Sequence, residues 1–299
     1  MSLQVKPLHP LFAGEASGVD LGKPLDVATI DDINEAMNEY GVLVWRNQPL
    51  TQTQQLELAK SFGPLDVGFK NLKKQPDRLE HAELIDLSNV DLEGKLVDRS
   101  HRKIISSLAN QLWHTDSSFQ KPAACYSMLA GVQVPEKGGD TEFTDLRAAY
   151  DALPEEMRQE IENLEAEHYA LHSRFMLGDT DYTEEQRNAI PPVHWPLVRV
   201  HPGSGRKVLF VSNHARAIKG LTVADGRMLL MDLLEHATQR EFVFQHRWKK
   251  NDLVIWDNRC TLHRGRRFDF TQVRELRRVT TLDIHAPELK GESMRAMPR

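Results

Sequence analysis

In the stretch LWHTDSSF, His114 and Asp116 flank a single threonine. An extended chain turns alternate side chains to one side, so the two ionisable groups would share a face about 7 Å apart along a strand. Set among Leu112, Trp113 and Phe119, they must either be solvated or share something, and both residue types are metal ligands. A metal site on a strand pair wants a third ligand from a distant strand. The best of the remaining histidines is His263, in VIWDNRCTLHRGRR, at the end of an apolar run and ahead of several arginines. Two histidines and one carboxylate occupy one face of an octahedron and leave three positions open, as in non-haem Fe(II) oxygenases. A structural zinc site would be closed and rich in thiolate, and no cysteine stands at the right place. Taken alone, an H-x-D pair is common, and a histidine beside arginines equally suits a solvated face.

The elements that must position these residues read mostly as strands. TIDDINEAMNEYG has the apolar spacing of one helical face, with Thr29 as N-cap and Gly41 as C-cap. TQTQQLELAKSFG repeats that pattern, and between the two lies the short buried strand VLVWR. Residues from about 64 to 110 are polar, lysine-rich in part and weakly periodic, which predicts a lid-like loop region with a strand near AELIDLSNV. CYSMLAGVQV and TEFTDL read as strands joined by the glycine turn PEKGGD, and EFVFQHRW with LVIWDN as another hairpin. AEHYALHSRF is strand-like, TVADGRMLLMDLLEHAT is the longest helical pattern, and RRVTTLDI is a late strand. Many short strands with few helices between them predict an antiparallel barrel or jelly roll rather than βαβ units.

Composition narrows the function. The chain has 299 residues, read as one domain spanning 1–299, with 40% hydrophobic and 27% charged residues. A net charge of −5 lacks the basic excess of a nucleic-acid binder. No apolar run approaches a membrane span, and the opening MSLQVKPLHPLF has no signal-peptide pattern. Cys125 and Cys260 are the only cysteines, which points to a reducing, cytoplasmic setting rather than a disulfide scaffold.

Two further features follow the pattern: Thr141 in GGDTEF, and Arg274 with Arg278 in TQVRELRR. The order H-x-D, Thr, distal His, then Arg resembles that of the taurine dioxygenase family of Fe(II)/2-oxoglutarate-dependent dioxygenases. The resemblance runs over nearly the whole chain, through KPLHPLF, NQLWHTDSSFQKPAA, GGDTEFTDLRAAYDALP, AEHYALHSRFMLGDTDY and DLVIWDNRCTLHRGRR. It implies a mainly β fold with flanking helices, the double-stranded β-helix (a cupin-like jelly roll). It also implies that His114, Asp116 and His263 form the catalytic centre and hold Fe(II). The cosubstrate 2-oxoglutarate would place its distal carboxylate against Arg274 and the Thr141 hydroxyl.

Arg278, four residues beyond Arg274 on an extended segment, would share its face and meet the acidic group of the substrate, with Arg277 turned away. His214 and Asn110 are further substrate-binding candidates. Trp113 and Trp256 are expected to fill the core. KNLKK and Lys95 would cover the substrate or be merely solvated. The implied reaction consumes O2 and hydroxylates the methylene of an aryloxyacetate such as 2,4-dichlorophenoxyacetate, giving a phenol, glyoxylate, succinate and CO2, with ascorbate as a stimulant. The same chemistry on taurine, an alkyl sulfate or an aryloxypropionate is the alternative; a non-catalytic metal-binding jelly roll is the distant one. No nucleic-acid or membrane partner is expected, and a homo-oligomer is.

Overall fold

The computed structural model describes residues 2–67 and 78–289, so KNLKK lies outside the described residues. Its strands are β1 (Gln4–Pro7), β2 (Gly14–Ser17), β3 (Val42–Trp45), β4 (Ile85–Ser88), β5 (Ala124–Gln133), β6 (Thr141–Asp145), β7 (Glu165–His168), β8 (Val193–Pro196), β9 (Val198–Val200), β10 (Lys207–Leu209), β11 (Ala215–Ile218), β12 (Val243–His246), β13 (Leu253–Asp257), β14 (Thr261–Gly265) and β15 (Glu275–Leu282). A major sheet runs β1-β2-β3-β13-β5-β15-β4 and a minor one β12-β6-β14. Apart from the parallel pair β2 and β3, the pairs in both sheets are antiparallel. The two sheets face one another as a jelly roll.

Alternation along the strands explains why both faces of the major sheet are dry. Val42, Val44, Leu129, Val254 and Trp256 point inward and meet Phe143 of the minor sheet. Leu43, Trp45, Met128 and Ile255 point outward, under helix α1 (Val27–Tyr40) and helix α2 (Gln52–Lys60). Strands buried on both faces read as continuous apolar runs, as VLVW and LVIW do. The cap of α1 differs from the expected one: Asp26 is the N-cap and accepts from the Thr29 N–H, while Gly41 closes the helix in the left-handed region as anticipated.

Both anticipated hairpins are crossovers instead. β5 lies in the major sheet and β6 in the minor one, and β12 and β13 divide the same way. The stretch around His114 is no strand either. It leaves a 3-10 turn at Leu108–Gln111, makes one isolated bridge from His114 to His263, and bends at Ser117, whose φ is 49°. AEHYALHSRF is half strand, as β7, and half helix: α3 (Arg102–Ser107), α4 (Leu146–Asp151) and α5 (Glu155–Ile161) precede α6 (His172–Met176), and the long apolar helix at Val223–Ala237 closes the far side. Among the described residues, no helix is long and apolar enough to cross a membrane.

Candidate active site

The bridge between His114 and His263 builds the site. The His114 N–H donates to the His263 carbonyl at 3.0 Å and the His263 N–H returns a bond of 2.8 Å, so the loop histidine is locked in register with β14. Asp116, two residues on, follows from the bend. His114 Nε2 lies 3.9 Å from Asp116 Oδ1, and His263 Nε2 lies 3.8 Å from Asp116 Oδ2. All three ligand atoms fall within 4.8 Å of one another, and all three residues are buried. Those separations are too long for direct hydrogen bonds and short enough for one cation to touch every group.

Tautomers and ionisation suit a metal. His114 Nδ1 is 2.8 Å from the Leu112 carbonyl, which can only accept, so Nδ1 carries the proton and Nε2 presents its lone pair. His263 Nδ1 is buried without a partner, and its Nε2 faces only the Asp116 carboxylate. Burial pushes both imidazoles below the usual histidine range, keeping them neutral. Burial alone would raise the Asp116 pKa, but the Arg278 guanidinium, helped by the Ser127 hydroxyl, overcomes it and holds the carboxyl down to about 2. Two neutral imidazoles and a carboxylate on one side of an open cavity fit Fe(II).

Two residues that the sequence reading passed over, Asn258 and Ser127, hold Asp116 in place. Asn258 Oδ1 accepts from the Asp116 N–H and from Trp256 Nε1, each at 3.0 Å. Its Nδ2 donates to the Cys125 carbonyl and to Ser127 Oγ, and its own carbonyl accepts from the Thr115 hydroxyl. Ser127 then donates to Asp116 Oδ2 at 2.7 Å and lies 3.0 Å from the Thr280 hydroxyl. Serine in the apolar run CYSMLAGV, and asparagine directly after LVIWD, were the available signals.

The triad opens into a cavity of about 510 Å³ that also contains Thr141, Arg274, Arg278, His214 and Asn110. A volume of this size holds two small ligands at most. Strand parity places the arginines as expected: Arg274 and Arg278 line the cavity, while Arg277 turns away to Gln55 Oε1 and the Leu50 carbonyl. Arg274 donates to the Gly139 carbonyl, lies over Phe268 and, among the described residues, meets no carboxylate; burial pushes its pKa down to about 10. Thr141 Oγ1 accepts from Trp248 Nε1 at 3.0 Å, which frees its own hydroxyl proton for another acceptor.

Arg278 donates from Nη1 to Asp116 Oδ1, while its buried Nε has no partner among the described residues. His214 stands 5.9 Å from the His114 ring and 4.9 Å from Phe119, both edge-on, with a buried unpartnered Nδ1. Asn110 lies in the 3-10 turn ahead of the bridge. Trp256 packs 4.6 Å from the His263 ring, whereas Trp113 lies beneath Arg264 on the far side of the bridge. From the region 64–110, Asp66, Ile85–Asn89, Arg102–Ile104 and Ser107–Asn110 line the cavity, and Lys95 is exposed and does not.

A second group of metal-ligand types, His201, Asp257 and Cys260, is already satisfied within the protein. His201 Nε2 meets Asp257 Oδ2 at 2.9 Å, Arg259 grips the same carboxylate, and burial pushes the Cys260 thiol well up, so it stays protonated.

Residues 4–280 match the family described as "Taurine catabolism dioxygenase TauD, TfdA family". The chain belongs to this family. It is 60% identical, over 95% of its length and 99% of the relative's, to an alpha-ketoglutarate-dependent 2,4-dichlorophenoxyacetate dioxygenase of Cupriavidus pinatubonensis. It is 36% identical to an (S)-phenoxypropionate/alpha-ketoglutarate-dioxygenase of Sphingobium herbicidovorans, covering 91% of this chain and 92% of that one. Among solved structures it resembles AAD-2 in complex with Mn(II) and N-oxalylglycine, with 44% identity and a TM-score of 0.90 over 94% of this chain and 98% of that one.

Proposed function

We propose that this chain is an Fe(II)- and 2-oxoglutarate-dependent dioxygenase that hydroxylates the methylene carbon of an aryloxyacetate such as 2,4-dichlorophenoxyacetate. The observation that carries the reading is the pairing of an open two-histidine, one-carboxylate cluster with a half-buried arginine that meets no carboxylate among the described residues, in the same cavity. The 60% identical relative supports the substrate class. Two buried free thiols suit a cytoplasmic setting.

His114, Asp116 and His263 would hold the iron. Bound there with 2-oxoglutarate, the metal supplies oxidation by O2, which turns the cosubstrate into succinate and CO2 and places one oxygen atom on a substrate C–H. Arg274 and Thr141 would bind the distal carboxylate of 2-oxoglutarate, one by charge-assisted and one by neutral hydrogen bonding. Arg278 would be shared between Asp116 and the acidic group of the substrate. Phe119, His214 and Asn110 would wall the aryl group and exclude water. Orientation matters because oxidation falls on whichever C–H lies nearest. An oxidised methylene between an ether oxygen and a carboxylate is a hemiacetal, which collapses to a phenol and glyoxylate.

The test is succinate and phenol release with Fe(II), 2-oxoglutarate and ascorbate over aryloxyacetates, aryloxypropionates, taurine and alkyl sulfates. Aryloxyacetates should give the highest kcat/KM, and a preference for taurine or a sulfate ester would overturn the substrate. Asp116→Ala should abolish turnover. Arg274→Ala should raise the KM for 2-oxoglutarate by the equivalent of about 2–5 kcal/mol, and Thr141→Val by about 1 kcal/mol. A larger effect at Thr141 than at Arg274 would mean the two roles are misassigned.

A further inference from the structure

Six cationic side chains line the cavity: Arg102, Lys103, Arg174, Arg266, Arg274 and Arg278. Four have a carboxylate within ion-pair distance among the described residues, respectively Asp179, Asp86, Glu142 and Asp116. The two that do not are Arg274 and Arg174. A guanidinium set into a protein wall is costly unless an anion meets it, and buried charges are as a rule paired or await a ligand. The proposed reaction brings two anions into this cavity, 2-oxoglutarate and an acidic substrate. Arg274 answers the first.

Arg174 lies on α6, half-buried, and among the described residues its guanidinium makes one hydrogen bond, from Nη1 to the Ala170 carbonyl at 3.0 Å. The nearest acid in sequence, Asp179, is engaged at both oxygens, by Arg102 at one and by the Tyr182 hydroxyl at the other. Arg174 lines the same cavity as His114, Asp116, His263 and His214. It also feels the repulsion of Arg278 across the cavity. Arg278 in turn has given Nη1 to Asp116. An anion between the two guanidiniums would remove their repulsion and supply the partner that Arg174 lacks.

We infer that Arg174 is a substrate-binding residue that anchors the carboxylate of the acidic substrate, with Arg278 holding Asp116 and sharing that carboxylate from the other side. The assignment rests on the proposed function for its choice of ligand. Arg174 lines the same cavity as Phe119 and His214, whose rings stand 4.9 Å apart, so one small acid could meet the guanidinium with its charged end and these rings with its aryl group.

Titration calorimetry under anaerobic Fe(II) and 2-oxoglutarate tests it, with phenoxyacetate and its neutral amide as probes against wild type, Arg174→Gln and Arg174→Lys. Arg174→Gln should weaken phenoxyacetate about 30-fold or more, while the amide and 2-oxoglutarate change by no more than about twofold. Arg174→Lys, which keeps charge and stem but not the planar fork, should recover part of the loss. If the glutamine variant does not fold, the lysine variant decides alone, and it should lose phenoxyacetate affinity selectively over the amide. Unchanged phenoxyacetate affinity, or equal loss for acid and amide, would overturn the assignment while leaving the proposed function standing. A wild type that neither binds nor turns over any aryloxyacetate would remove the proposed function, and Arg174's role with it.

Discussion

Asn258 uses both ends of its amide around the ligand carboxylate, accepting from the Asp116 backbone and donating toward Ser127, which itself donates to Asp116. Asn258→Ala therefore strips the acceptor from two buried N–H groups, those of Asp116 and the Trp256 indole, and a donor from one buried carbonyl, each worth about 1–3 kcal/mol when left unsatisfied. Asp116 would lose its fixed orientation as well. The expected outcome is a folded but less stable protein whose Fe(II) or Co(II) affinity falls about 10- to 100-fold, read by metal titration. Unchanged metal affinity would show that Asp116 is held by Ser127 and Arg278 alone. Sequence reasoning picked out His114, Asp116 and His263 as metal-ligand types, but an H-x-D pair is common on its own, and it was the resemblance to the taurine dioxygenase family that singled these three out. The same reasoning missed Asn258 and Ser127 because an amide and a hydroxyl serve any buried polar group. Their roles exist only once the crossover from β13 brings them beside Asp116.

At the level of elements, what the sequence conveyed was which segments are extended and which residues share a face, as with Arg274, Arg277 and Arg278. What it concealed was pairing. The glycine turn between β5 and β6 was read correctly as a turn, with Gly138 and Gly139 at φ 77° and 73°. A turn of this kind does not say whether the next strand folds back on its neighbour or crosses to the opposite sheet, and here it crosses. Its reason is visible in the contacts: the Gly139 carbonyl accepts from Arg274 Nη2 at 3.0 Å, and a β-carbon on Gly139 would come within 2.9 Å of Arg274 Nε. Gly139→Ala thus meets both a left-handed backbone, costing about 1–2 kcal/mol, and a collision with the arginine proposed to bind 2-oxoglutarate. Its 2-oxoglutarate KM should rise about tenfold to 100-fold, as expected for a misplaced binding group, with a much smaller change for the primary substrate. Equal loss for both ligands would mean that the turn supports the whole cavity rather than Arg274.

Across the whole molecule, the buried histidines tie stability to pH. His168 sits on β7 with its ring 5.5 Å from Phe210, and its Nδ1 lies 3.0 Å from Ser118 Oγ in the bend that carries Asp116. Burial pushes its pKa from 6.5 to about 3, and that of His172 to about 4. In the unfolded chain both titrate near 6.5. Between that pH and the folded value the unfolded state therefore holds the extra proton, and stability falls as the solution is acidified. The contribution is whole above about pH 6.5 and shrinks by about 1.4 kcal/mol per unit for the fully buried His168, or about 2 kcal/mol by pH 5, and by less for the half-buried His172, whose charge solvent screens. Asp116, whose folded pKa is depressed, loses its contribution only below about pH 4, so the window from 6.5 to 5 belongs to the histidines. Against a total of about 5–15 kcal/mol for a domain, the iron-free protein should soften well before ordinary carboxylates titrate. His168→Gln retains a hydrogen-bonding group beside Ser118 but cannot ionise. Denaturant unfolding at pH 7 and pH 5 should show the gap between the two pH values narrowing by about 2 kcal/mol in that variant, even if both stabilities are lower. An unaltered gap would place the proton uptake elsewhere, and acid unfolding would then have no reason to begin beside the bend that positions Asp116.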